Sequence, residues 1–156
     1  MSLVPALDPE ALRFLREARA GHLATARANG EPSVVPVCFA AEPPHVFSVI
    51  DGKPKSVQPL ELRRVRDLTA NPQAALVVDR WDEDWSRLGY LLLRGRVELI
   101  EEGPLHARGL GLLRAKYESY LSMKLERALV IVLTIASHHR WGDLSRPQFP
   151  PSGSAP

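Results

Sequence analysis

The chain has 156 residues, 45% of them hydrophobic and 24% charged, with a formal net charge of +2. A chain of that length forms one domain burying roughly two-thirds of its unfolded surface, and the composition excludes collagen-like and disordered classes. Near-neutral charge and only 6% aromatic residues also exclude a nucleic-acid-binding barrel with a basic, aromatic face.

The first predicted element is a helix. Asp8 can cap it, Pro9 suits its first position, and Leu12, Leu15 and Ala18 form an apolar stripe that Gly21 ends. A strand from His22 to Arg27 follows, then Asn29-Gly30, a strong two-residue hairpin signal, and a returning antiparallel strand from Ser33 to Ala40. Pro43-Pro44 turns the chain into a third strand, His45 to Ile50, and a polar loop spans Asp51 to Gln58. Leu62, Val65 and Leu68 mark a helix from Leu60 to Ala70, ended by Asn71-Pro72.

Ala74 to Asp79 is a fourth strand. The fifth alternates most clearly, with Leu91, Leu93, Val97 and Leu99 set against Arg94, Arg96 and Glu98. Gly103-Pro104 starts a helix running to Leu121, and Ala128 to Ala136 is a nearly continuous apolar strand. Such a strand needs cover on both faces, from the sheet and a helix or from a second subunit. The Pro/Ser/Gly-rich segment from Pro147 to Pro156 reads as a disordered tail after a single domain of residues 1–146. Six antiparallel strands either stack as a sandwich or curl into a small barrel.

Three features carry possible chemistry. Lys53, Lys55, Arg63, Arg64 and Arg66 cluster around a helix start, which suits a phosphate but also describes a solvated helix face. Pro36 interrupts the apolar strand Val34-Val35-Pro36-Val37 and cannot donate to a ladder, which places it at an edge or bulge. The loop from Asp79 to Leu88 mixes acids with Trp81 and Trp85, as ligand-orienting loops do, or packs those rings onto the sheet.

His138-His139 makes no metal site, since strand neighbours point to opposite faces, and no metal-binding, Rossmann, P-loop or hydrolase motif occurs. The lone cysteine, Cys38, reads as a core residue. It permits no intrachain disulfide and, with no leader-like start, fits the cytoplasm. The longest apolar run falls well short of the ~20 residues of a membrane helix, so no membrane partner is expected.

The stretches GHLATARANGEPSVVPVCF, HVFSVIDGKPK, ELRRVRDLTANPQAALVVD and WDEDWSRLGYLLLRGRVEL together resemble the pyridoxamine 5'-phosphate oxidase-like split-barrel flavoproteins, in the branch of probable F420-dependent enzymes. The resemblance covers Gly21 to about Trp141. It implies a mainly β (α+β) fold, a six-stranded antiparallel split β-barrel (the FMN-binding split barrel) with flanking helices, forming a homodimer with cofactors at the subunit interface. It places the flavin ring against Val35, Pro36 and Val37, borders it with Ser48, Val49 and Ile50, and gives the phosphate to Arg63 and Arg64. Lys53 and Lys55, in a loop longer than that of many relatives, are the alternative basic pair for that phosphate. Trp81, Trp85 and Trp141 are candidate walls of a substrate pocket.

The expectation is an oxidoreductase using coenzyme F420 for hydride transfer to a small organic substrate. FMN in the same fold is the alternative cofactor, and a non-catalytic flavin- or haem-binding protein is the alternative class.

Overall fold

In a computed structural model, residues 6–51 and 62–148 are described. The expected helix signals at the N-terminus form α1 (Pro9–Glu17), capped by the Asp8 side chain, which accepts from the Ala11 N–H at 2.9 Å. Strands β1 (Gly21–Ala26) and β2 (Pro32–Val37) join through the Asn29-Gly30 turn. Gly30 has φ +89°, and its N–H donates to the Arg27 carbonyl at 2.9 Å. Ala28 and Asn29 keep negative φ, so the link is an ordinary turn closed by one left-handed residue, a conformation glycine takes without strain.

The predicted strand from Ser33 to Ala40 is two strands. After β2 the chain leaves the sheet at Cys38-Phe39 and re-enters as β3 (Ala40–Glu42), which pairs with β4 (His45–Val49) across the Pro43-Pro44 turn. The barrel therefore has seven strands rather than six. The break is fixed from outside the sheet, since the Phe39 N–H donates to the Tyr117 hydroxyl at 3.0 Å instead of to a neighbouring strand.

Helix α2 (Arg63–Ala70) leads into β5 (Gln73–Arg80), and β6 (Gly89–Ile100) follows the tryptophan loop. Helix α3 (Pro104–Lys116) stops five residues before the predicted end, and Glu118–Leu121 continues only as a tighter 3₁₀ turn. The last strand, β7 (Val130–Gly142), runs six residues beyond the predicted Ala136. Its second half carries no apolar run, and pairing with β6 out to Gly89↔Gly142 keeps it extended.

The sheet order is β2-β1-β5-β6-β7-β4-β3, antiparallel throughout. Its two outermost strands are consecutive in the chain, joined by Cys38 and Phe39 alone. Three peptide steps span at most about 11 Å, so the sheet must curl until its edges nearly meet. The result is a split barrel. Leu23, Val37, Leu76, Leu91, Leu93, Ile131 and Leu133 fill the interior with Phe14 and Leu15 of α1.

A second core lies outside the barrel wall, where Leu110, Leu113 and Tyr117 pack on Phe47, Val49, Val130 and Val132. Strand β7 is thus covered on both faces from Val130 to Leu133, by the barrel interior and by α3, and its outer face is exposed at Thr134. Gly109 makes the close approach possible, because a Cβ there would lie 2.5 Å from the Phe47 ring. Pro147 and Gln148, in the predicted tail, are held. The Pro147 carbonyl accepts from Arg80, and the Gln148 N–H donates to Glu17 at 3.1 Å. Among the described residues no helix is long and apolar enough to cross a membrane.

Candidate functional site

The residues expected to meet a flavin ring lie on edge strand β2 and at the end of β4, the strand next to the other edge, β3. Val35, Pro36 and Val37 lie on β2, an edge strand whose only partner is β1, with Pro36 opposite His22. Pro36 is exposed there, which resolves its place in an apolar strand, since an edge tolerates a residue that cannot donate. Ser48, Val49 and Ile50 lie at the end of β4 and are all buried. Val35, Val37 and Ile50 share the barrel core, whereas Val49 faces α3. Closure of the barrel thus brings the two segments together, with Val49 turned away.

The basic cluster divides in two. Arg63 is held by the β1–β2 hairpin and its own helix: it donates to Glu31 at 3.2 Å and to the Pro32 carbonyl at 3.4 Å, and lies 3.5 Å from the Asp67 carboxylate. Asp67 is buried and also accepts from the Thr25 hydroxyl at 2.9 Å. Arg27, Arg63 and Arg66 line a cavity of about 190 Å³ between this hairpin and α2, with Asp67 at its base.

Arg64 points elsewhere. It is half-buried, and burial lowers its pKa from the ordinary value, opposed by Asp51 and Tyr120. The Tyr120 hydroxyl donates to Asp51 at 2.8 Å, and burial, reinforced by that bond, pushes its pKa up. Among the described residues, Arg64 Nε is buried and has no hydrogen-bond partner. A guanidinium nitrogen withdrawn from water with nothing to donate to is costly unless an anion completes it. Its place at the start of α2, with N–H groups not yet paired within the helix, suits that anion to a phosphate. Lys53 and Lys55 lie outside the described residues.

The three tryptophans gather at one end of the sheet, where Arg80, Gly89 and Gly142 are register partners. Trp81 is 68%, Trp85 73% and Trp141 51% exposed. Trp141 stacks on Tyr90 with centroids 5.8 Å apart, while the loop bearing Trp81 and Trp85 is shaped by Asp84 capping Ser86 and by an Arg87–Asp82 ion pair. Arg80 anchors this end from within, donating to the carbonyls of Arg87 (2.8 Å), Arg146 (2.8 Å) and Asp143.

Sequence reasoning missed Tyr120 and the pairing of Asp51 with it. Tyr117 and Tyr120 read as apolar members of a helix, and their hydroxyls were the available signal, because a buried tyrosine needs a polar partner. It also missed the outer sheet face. Across β2, β1, β5, β6 and β7 run Pro36, His22, Val77, Leu92 and His139 in register, with Tyr90 and Trp141 in the next row. Among the described residues, Pro36, His22 and His139 of that row are exposed and Val77 and Leu92 half-buried. His22 lies 3.8 Å from Asp79 on it.

Comparison with known proteins finds a family model described as pyridoxamine 5'-phosphate oxidase matching residues 7–142. No curated protein matches the chain. Among solved structures, a haem-binding protein from Mycobacterium smegmatis is similar at TM-score 0.71 and 18% identity, over 93% of this chain and 57% of that one. This chain therefore spans little more than half of that protein's length. The haem storage protein HutZ from Vibrio cholerae is similar at 0.67 and 18%, over 90% and 99% of the two chains. A structure named F420 reductase is similar at 0.62 and 24%, over 86% and 98%.

Proposed function

Because the chain belongs to the pyridoxamine 5'-phosphate oxidase family, we propose that it is an oxidoreductase binding coenzyme F420 in its split barrel and transferring a hydride to a small organic substrate. The observation that carries this reading is the buried Arg64 Nε, which lacks an acceptor at a helix start. A cofactor phosphate supplies that acceptor in a charge-assisted bond, with Asp51 and Tyr120 keeping the guanidinium in place.

The hydride is the cofactor's own contribution. This chain's residues align and shield. The Pro36 edge lets a flat ring approach the β2 backbone, and Val35 and Val37 back it with core packing. F420 is favoured over FMN by the cavity at the β1–β2 hairpin, where Arg66, beside the already paired Arg27 and Arg63, suits the acidic oligoglutamyl tail that FMN lacks. The uncovered apolar face supports a homodimer, in which a second copy would place its exposed tryptophans over the ring and complete the substrate pocket.

A second reading, a haem-binding protein without turnover, is favoured by one observation. His22 and His139 both stand exposed on the same apolar row, where an imidazole could ligate a flat iron porphyrin. Fluorescence titration of the protein with F420, FMN and haem in parallel separates the readings. Saturable F420 binding with weak FMN binding supports the deazaflavin enzyme. Tight FMN binding moves it to the flavin branch, haem binding alone supports the second reading, and binding of none removes the phosphate site.

A further inference from the structure

At the end of α3 another buried cation lacks a hydrogen-bond partner among the described residues. Lys116 ends α3, and its Nζ is buried with no hydrogen-bond acceptor. It lies 3.9 Å from the centroid of the Phe39 ring and 5.4 Å from that of Tyr117. Ring faces attract an ammonium but accept none of its three protons in a normal hydrogen bond. Burial holds the Lys116 pKa down to about 8, helped by Arg19 and opposed by Cys38.

Two more cations converge here. Arg19 lies 4.8 Å from the Tyr117 centroid and donates to the Lys116 carbonyl at 3.1 Å. Arg16 and Lys116 line a cavity of about 220 Å³ whose other walls are Ala40, Ala41, Leu112 and Ala115. The nearby carboxylates are occupied: Arg108 grips both oxygens of Glu42, and Glu17 holds Arg13 and the Gln148 N–H. Among the described residues, Arg16, Arg19 and Lys116 form no ion pair.

We propose that this cavity binds a small organic anion, its carboxylate or phosphate drawing Lys116 Nζ off the Phe39 ring to donate to it and its apolar body resting on Ala40, Ala41 and Leu112. Glu42, the acid that acts on Arg16, is already gripped by Arg108, so the three cations leave positive charge that an incoming anion neutralises. The orphaned ammonium gains the acceptor it lacks. The volume falls below the ~300 Å³ of a drug-sized ligand site, which limits the body to one small ring or a short chain. Occupancy here does not depend on which cofactor Arg64 holds.

The test titrates sodium benzoate, and separately inorganic phosphate, into the native protein while the lysine side-chain signals are followed by NMR. The sequence has 4 lysines, and Lys116→Arg assigns the signal. The expected result is a saturable shift of Lys116 with benzoate, phosphate or both, which also tells carboxylate from phosphate. In Lys116→Met the affinity drops about ten- to hundredfold, as loss of a charge-assisted bond implies, while cofactor affinity stays unchanged. No saturable shift of Lys116 with either anion overturns the proposal, as does equal affinity in Lys116→Met. The native titration decides alone if that variant fails to fold.

Discussion

Arg64 and Arg63 are neighbours in sequence with opposite fates. Arg63 donates to Glu31 and the Pro32 carbonyl and lies in ion-pair range of Asp67, although its Nε makes no hydrogen bond among the described residues, so its charge is already committed to joining α2 to the β1–β2 hairpin. Arg64 has only the field of Asp51 and an unpaired Nε. Arg64→Ala is expected to weaken cofactor binding about ten- to hundredfold in the fluorescence titration, the cost of a charge-assisted bond, with the thermal midpoint nearly unchanged. Equal binding by the variant would remove Arg64 from the phosphate site. The pair RR in the sequence announces a basic cluster. Which member is spent on structure depends on Glu31 and Asp67, acids supplied by a hairpin and by the next helical turn.

At the scale of elements, α1 depends on a local device and the β6–β7 ribbon on one that a neighbouring strand imposes. Asp8 holds α1 through the Ala11 N–H, and that bond, more than Arg140, holds its carboxyl below the usual range. A carboxyl whose pKa is lowered on folding contributes stability above its unfolded value of about 3.9 and loses it as pH falls through the folded value. Asp8→Ala should therefore cost about 1 kcal/mol at pH 7. The gap between native and variant should close in urea melts repeated below about pH 4. This cap is legible in the sequence, because Asp-Pro before an apolar stripe is a local signal.

The bulge in the β6–β7 pairing is not local. The register slips between Arg94 and Gly95, and a Cβ at Gly95 would lie 1.9 Å from the Thr134 carbonyl oxygen. Gly95→Ala is expected to destabilise by about 3 kcal/mol through overpacking, read as a lower urea midpoint at unchanged slope. In the sequence Gly95 sits unremarked inside the clearest alternating strand, because its role is set by a carbonyl on another strand. The lengths of α3 and β7 were misjudged for a related reason: Tyr117 leaves the helix to hold Phe39, and β7 is extended by β6 rather than by its own composition.

For the whole molecule, the outer sheet face is the open question. Leu92 stands midway along it, half-buried, between Val77 and His139. The native protein is expected to sediment at twice the 17.3 kDa chain mass, and Leu92→Arg to sediment as a single chain. If the partner completes the cofactor site, the variant should also bind cofactor at least about tenfold more weakly, since an unpaired charge in an apolar interface is strongly opposed. A native protein that sediments as one chain would remove the second copy from the site.

The sequence by itself determined the order of elements apart from β3, the apolar face of β6, the hairpin at Asn29-Gly30 and the placing of Pro36 at an edge or bulge. Each rests on periodicity or on backbone chemistry confined to a few consecutive residues. Tertiary structure alone decided that the strand after Asn29-Gly30 divides at Cys38 and joins both edges of a curled sheet. It alone separated Arg63 from Arg64, and it left Lys116 without an acceptor. These outcomes depend on which distant groups arrive beside a residue, and chain closure, rather than local pattern, sets that.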